Sequence, residues 1–181
     1  EDKTFPKDTS LRSNGRQELV RIDEFQGKIA AAADARRDSD FVVIARVEAL
    51  IAGQGQDEAI RRGIAYEEAG ADAILIHSKQ KTPDEILAFV RAWPGHVPLV
   101  LVPTAYPQLT EPDIAALGKV GVVIYGNHAI RAAVGAMRQV FAQIRRDGGI
   151  KAVDSQLPSV KEIIDLQGDN AMRAIEKTYL R

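Results

Sequence analysis

Phe41-Val42-Val43-Ile44-Ala45-Arg46-Val47-Glu48 is the stretch that decides the fold. Its first five residues are apolar and rich in β-branched side chains, the pattern of a strand covered on both faces, as in a parallel sheet. Arg46-Val47-Glu48 follows at once, so two charged residues stand at the strand's C-terminal end. Their i, i+2 spacing points them to one side. An arginine that continues a buried strand has to be paired or bound to an anion, because an unpaired buried charge is costly. Its planar fork suits carboxylate and phosphate. A structural ion pair with Glu48 is the competing reading.

The same rhythm continues downstream. Asp57 to Ala69 reads as a helix with Gly70 at its C′ position. Ala73-Ile74-Leu75-Ile76 is the next strand, ending in His77-Ser78. Thr82-Pro83-Asp84-Glu85 reads as a capping box that opens a helix to about Trp93. Pro98 to Val102 is a third strand, followed by Pro103-Thr104. Thr110-Glu111-Pro112-Asp113 starts another helix, and Val120 to Tyr125 is a fourth strand. Gly126-Asn127 caps a helix from about His128 to Arg146. Ser159-Val160-Lys161-Glu162 reads as a second capping box that opens one or two terminal helices. Strands are therefore expected near 41–46, 72–77, 98–102 and 120–125.

Strands alternating with helices at this spacing are βα repeats. No Gly-x-Gly-x-x-Gly follows a strand, which counts against a dinucleotide-binding domain. Reactive side chains fall instead at the C-terminal ends of successive strands, where a (β/α)8 barrel keeps its active site. Such a barrel usually takes about 250 residues. A chain of 181 residues without an initiator Met reads as part of one, with a segment expected upstream.

Upstream of the first strand, Leu19, Ile22, Phe25 and Ile29 recur at helical spacing over Glu18 to Ala33, and Asn14-Gly15 marks a turn. The opening Glu1-Asp2-Lys3-Thr4-Phe5-Pro6-Lys7-Asp8-Thr9-Ser10 shows no regular pattern and reads as a loop dense in carboxylates, amines and hydroxyls. Glu1 is a hard oxygen donor suited to Mg²⁺ or Mn²⁺, though such sites need several oxygens. Lys7, Thr9 and Ser10 could close over a phosphoryl group. His77 could donate to a substrate oxygen or take part in acid–base work. His96 reads as solvated and His128 as structural.

Hydrophobic residues make up 45% of the chain, charged residues 27%, and the net charge is -1. These values leave no electrostatic footprint for nucleic acid or an acidic membrane. No apolar run approaches the roughly 18 residues of a membrane span. The absence of Cys excludes disulfides, zinc–thiolate sites and a Cys nucleophile. Cytoplasm is the default location.

With these residues laid out, the chain resembles the phosphoenolpyruvate mutase/isocitrate lyase superfamily. The resemblance rests on Glu1-Asp2-Lys3-x-Phe5-Pro6-Lys7, Ala45-Arg46-Val47-Glu48-Ala49, Gly70-Ala71-Asp72-Ala73, Ile76-His77-Ser78 and Pro158-Ser159-Val160-Lys161-Glu162-Ile163. It covers essentially the whole chain, which would correspond to the C-terminal three-fifths or so of a member. It implies an α/β barrel whose last helix is exchanged between subunits, giving dimers that pair into tetramers. On that reading residues 1–16 are a gating loop, 17–147 the βα units and 148–181 a helical tail. It also implies Mg²⁺, or Mn²⁺ or Co²⁺, with Glu1 in the metal site and further metal-site aspartates upstream of it.

The lyase branch of that family carries a catalytic Cys, which this chain lacks. The mutase branch carries Asn where Thr9 stands. Lys7-Asp8-Thr9-Ser10, Tyr106-Pro107-Gln108-Leu109 and Ile124-Tyr125-Gly126-Asn127-His128 resemble instead the branch that hydrolyses phosphonopyruvate. The resemblance then implies Lys7, Thr9, Arg46 and His77 as catalytic, and Ser10, Arg46 and His77 as substrate-binding. Isomerisation between phosphoenolpyruvate and phosphonopyruvate is the alternative activity, and a non-catalytic binding subunit the alternative from another class.

Overall fold

The computed structural model describes residues 1–10, 12 and 17–180. The expected Asn14-Gly15 turn and part of the expected gating loop lie outside the described residues. The chain divides into two compact units, Glu1–Asn127 and His128–Arg181. That division places the long helix with the tail, whereas the sequence reading separates them at 147/148.

The first unit is built from βα repeats. Helix α1 (Ile22–Ala35) precedes β1 (Ile44–Val47), α2 (Gly55–Glu68), β2 (Ala73–Ile76), α3 (Asp84–Ala92), β3 (Leu99–Leu101), α4 (Glu111–Ala116) and β4 (Val120–Val123). The strands form one parallel four-stranded sheet in the order β1-β2-β3-β4. Ile44 pairs with Ala73 and Ile74 with Leu99, and the register shifts between Leu99 and Val100 on the β4 side. The expected strands are all present, slightly shorter than read.

Alternation assigns the two faces of the sheet. Ala45, Val47, Ile74, Ile76, Leu99 and Leu101 belong to the main core, with Phe25 and Ile29 of α1, Tyr66 of α2, Phe89 of α3 and Ile114 of α4. Ala73, Leu75 and Val100 form a small second cluster on the other face, with Val102 packed against it. Arg46 and His77 have the parity of that second face.

Local chemistry explains the boundaries. Gly70 takes a φ of +101° just past α2, a conformation that favours glycine at a helix end. Gly63 of α2 lies against Trp93, and a Cβ there would stand 2.6 Å from the indole. Trp93 is buried, stacks on Phe89 at a centroid distance of 5.7 Å, and donates from Nε1 to the Val97 carbonyl at 3.2 Å. Thr110 and Asp113 form a complete capping box at α4.

Three expectations are corrected. Helix α1 begins at Ile22, not Glu18, because Lys3 bridges Leu19 antiparallel and Val20 N–H donates to the Asp2 carbonyl. Phe41 and Val42 are 59% and 56% exposed, because pairing of β1 starts only at Ile44. The Thr82 capping box does not form: Pro83 is the N-cap of α3, Thr82 turns to the Asp84 carboxylate, and Glu85 takes the Ser78 hydroxyl. Two helices follow Ser159, as expected, and a short helix at Lys151–Asp154 precedes it.

The second unit contains α5 (His128–Asp147), α6 (Lys151–Asp154), α7 (Val160–Leu166) and α8 (Asp169–Tyr179). Ser159 caps α7 by accepting from the Glu162 N–H. No residue of α5, α7 or α8 is buried. Among the described residues no helix is long and apolar enough to cross a membrane.

Candidate active site

The C-terminal end of a parallel sheet is where chain turns leave side chains free to converge. Here a cavity of about 440 Å³ opens at that end, lined by Glu1, Lys7, Thr9, Ser10, Arg46 and His77 among others. Every residue that the sequence reading assigned to catalysis, substrate or metal therefore meets in one place. Asp8, Val102, Thr104, Gly126 and Asn127 complete the lining.

Arg46 is held from behind. Its Nε donates to Glu48 Oε1 at 2.6 Å, its Nη2 donates to Ser10 Oγ at 2.8 Å, and Glu1 Oε2 lies 3.4 Å from Nε. The structural ion pair with Glu48 is therefore formed, and the same guanidinium still lines the cavity. Glu48 is fully buried; burial alone would raise its carboxyl, but the Ser10 hydroxyl, Arg46 and Lys3 outweigh that and hold it below the usual carboxylate range.

Ser10 joins loop to strand. Its hydroxyl donates to Glu48 Oε2 at 2.5 Å and accepts from Arg46 Nη2 and from Lys3 Nζ at 3.0 Å. Lys3 Nζ also donates to the Asp8 carbonyl at 3.0 Å and stands 3.0 Å from Glu48 Oε2. Asp2 carries the network further down. Its backbone N–H donates to the Arg46 carbonyl, and its carboxylate accepts from the Glu48 N–H, Arg62 Nη1 and the Tyr66 hydroxyl. Burial, with the Asp2 carboxylate, pushes the Tyr66 phenol well up.

His77 is the opposite case. It continues β2 on the same face as Leu75, which pairs with Arg46. It is 4% exposed, and its Nδ1 has no hydrogen-bond partner among the described residues. Burial, with the nearby Arg46 cation, lowers its pKa, so the imidazole is neutral at neutral pH. Oδ1 of Asn127 is likewise buried without a partner. Unpaired buried polar atoms in a cavity wall are what a bound polar ligand would satisfy.

At the rim, Lys7 is mostly exposed and its Nζ lies 2.8 Å from Glu1 Oε1. Thr9 is exposed, and its carbonyl accepts from the Gln17 amide at 3.3 Å. Among the described residues no group of three or more His, Asp or Glu side chains could hold a metal ion. Glu1 is one carboxylate, already paired with two cations, and Asp2 is turned away into its own network. The described residues thus fit a single oxygen ligand of a divalent ion but not a complete site.

Asp2, Lys3, Thr104 and Asn127 carried no role at the site in the sequence reading. For Asp2 and Lys3 the only local signal is their adjacency to Glu1. Their burial depends on the pairing of Lys3 with Leu19, which no local pattern announces. For Thr104 and Asn127 the signal was their place just after a strand.

The chain is 82% identical to phosphonopyruvate hydrolase of Variovorax sp. (strain Pal2) over all 181 residues, which span 62% of that protein. A crystal structure of phosphonopyruvate hydrolase in complex with oxalate and Mg++ superimposes with a TM-score of 0.90 and 79% identity, over 99% of this chain and 61% of that one. Phosphoenolpyruvate phosphomutase from Streptomyces platensis subsp. rosaceus superimposes with a TM-score of 0.93 at 45% identity, over 99% of this chain and 62% of that one. The chain thus spans about three-fifths of the length of these relatives. The family model for phosphoenolpyruvate phosphomutase matches residues 1–145, and the chain belongs to that family.

Proposed function

We propose that this cavity belongs to an enzyme that hydrolyses the P–C bond of phosphonopyruvate to pyruvate and phosphate. The observation that carries the reading is the meeting of Arg46, His77 and the Lys7-Asp8-Thr9-Ser10 segment around one cavity. The identity to phosphonopyruvate hydrolase supports it. Mg²⁺, or Mn²⁺ or Co²⁺ in its place, is the cofactor of this reading, with Glu1 as one oxygen donor, direct or through water. One carboxylate does not complete such a site.

In the reaction the P–C bond breaks, and its electron pair leaves with the pyruvate methylene as an enolate that is then protonated. A water oxygen forms the new bond to phosphorus. The phosphoryl group passes through a loose, metaphosphate-like state, so the protein contributes position and charge. Arg46, pre-aimed by Glu48, holds phosphonyl oxygens. His77 donates from its neutral ring to another oxygen. Lys7 adds positive charge from the rim. Ser10 reaches a phosphonyl oxygen only by turning its proton away from Glu48. Thr9 orients the incoming water or takes the phosphoryl group briefly itself. Its hydroxyl is smaller than an Asn amide and can accept from water.

The experiment is turnover of phosphonopyruvate by the full-length protein with Mg²⁺, following phosphate, pyruvate and phosphoenolpyruvate together. Phosphate and pyruvate in equal amounts support hydrolysis. Phosphoenolpyruvate as product establishes the mutase reading, and no turnover with retained binding establishes a binding subunit. Thr9→Ala and Thr9→Asn should both slow hydrolysis strongly, the first without restoring isomerisation. A parent rate for Thr9→Ala would remove its chemical role.

The α5 stripe of Ile130, Val134, Met137, Val140 and Ile144 has no buried member. An apolar stripe of this kind needs a partner surface. In our reading it packs on a second copy, by helix exchange, in a cytoplasmic dimer or tetramer. A stable, folded monomer in sedimentation velocity would overturn this.

A further inference from the structure

Arg46, His77 and the rim serve the proposed reaction, and two buried cations among the described residues, Lys3 and Arg62, are left without a task; of these Lys3 touches the site. Lys3 is 1% exposed at its side chain, and the contacts of its ammonium bear on the site. Its ammonium touches the loop twice, at the Asp8 carbonyl and the Ser10 hydroxyl, and touches Glu48, which in turn holds Arg46. An ammonium has three protons to give, and here its nitrogen stands 3.0 Å from each of three oxygens.

The arrangement decides where the Ser10 proton points. A hydroxyl has one proton and two lone pairs. Lys3 and Arg46 donate to both lone pairs of Ser10, so its proton goes to Glu48. Glu48 then carries two cations and one hydroxyl, enough to stay ionised in a fully buried place. Without Lys3, Glu48 would keep Arg46 as its only cation, and the guanidinium would be drawn onto it and away from the cavity. The Asp8 carbonyl would lose its tie to the interior at the same time.

We propose that Lys3 is a positioning residue. It clasps the Asp8–Ser10 segment to the end of β1 and, by sharing Glu48, keeps Arg46 available to the phosphonyl end of the substrate. The inference deepens the hydrolase reading and rests on it for the phosphonyl group, whereas the clasp itself rests on geometry alone. The two are separable: absence of phosphonopyruvate turnover by the parent sinks the first, and hydrogen exchange decides the second.

The test is Lys3→Met in the full-length protein, which keeps the length of the stem and removes the charge. Amide hydrogen exchange should rise about tenfold or more over residues 7–10 while β2 and β3 keep the parent protection. Inhibition by inorganic phosphate, a probe of the phosphonyl end, should weaken about tenfold, and inhibition by pyruvate should change less than about threefold. Unchanged exchange over residues 7–10 overturns the clasp. Loss of protection in β2 and β3 as well shows Lys3 to serve global stability and also overturns it. Equal weakening of phosphate and pyruvate inhibition removes the link to Arg46. Should Lys3→Met fail to fold, Ser10→Ala, which leaves the Lys3–Glu48 pair in place, is read by the same exchange measurement, with the rise again expected only over residues 7–10.

Discussion

Arg46 and His77 end neighbouring strands and line one cavity, yet they are held in opposite ways. Arg46 rests on Glu48 and Ser10, with a second layer of Lys3, Asp2, Arg62 and Tyr66 beneath. His77 is buried with an open Nδ1. The first residue is placed before any ligand arrives, at the cost of burying several charges that depend on one another. The second is left incomplete, so that a ligand finishes it. Stability and activity should therefore separate at His77 and remain joined on the Arg46 side.

The largest effect is expected beneath Arg46. Glu48→Ala leaves Lys3 as a buried cation without its carboxylate, and removing one partner of a buried pair costs about 3–5 kcal/mol. Chemical denaturation reads this directly, and a loss below about 1 kcal/mol would show the network to be slack. Next comes Arg46→Ala, expected to lower kcat/KM by about a hundredfold or more, the order for a charge-assisted contact worth roughly 3 kcal/mol at the transition state. Arg46→Lys should fail as well, since one ammonium cannot reproduce both prongs. Near-parent kinetics in either would make Arg46 a strut alone.

Smaller effects test the other side. His77→Leu should lower kcat/KM about tenfold or more while changing stability by less than about 1 kcal/mol, because an unpartnered buried polar atom itself costs about 1–3 kcal/mol. A large loss of stability would mean that the ring is structurally satisfied. The smallest effect is in pH. The folded His77 pKa lies below its ordinary value of 6.5, with burial as the main cause. The unfolded chain therefore takes up a proton that the folded chain refuses, and stability falls as pH drops below about 6.5 until both forms are protonated. Denaturation at about pH 8 and about pH 5.5 should show a loss in the parent that is reduced in His77→Leu.

How legible the molecule is in its sequence depends on distance along the chain. The strands around Ile44, Ala73, Leu99 and Val120 announce themselves because each is a short β-branched run closed by turn residues. Arg46 and His77 stand out because charge at the end of such a run is conspicuous. Thr110-Glu111-Pro112-Asp113 starts a helix as read and closes a capping box, whereas Thr82-Pro83-Asp84-Glu85, read as such a box, does not, because Ser78 outside the pattern claims Glu85. Leu19 has helical spacing but is taken by its bridge to Lys3. The layer under Arg46 was illegible for the same reason. Asp2 meets Arg62 and Tyr66 across sixty residues or more of chain, and no window on the sequence spans that.

Trp93 is the chain's only tryptophan. It is buried between Phe89 and the bare backbone of Gly63. It also precedes β3, so it lies toward the end of the sheet away from Arg46 and His77. Its ultraviolet emission should be that of a dry indole, shifted to the blue. Ligands entering the cavity should leave that spectrum alone, while separation of α2 from α3 should send it to the red. This chain therefore carries its own optical gauge of folding, one that stays silent about binding.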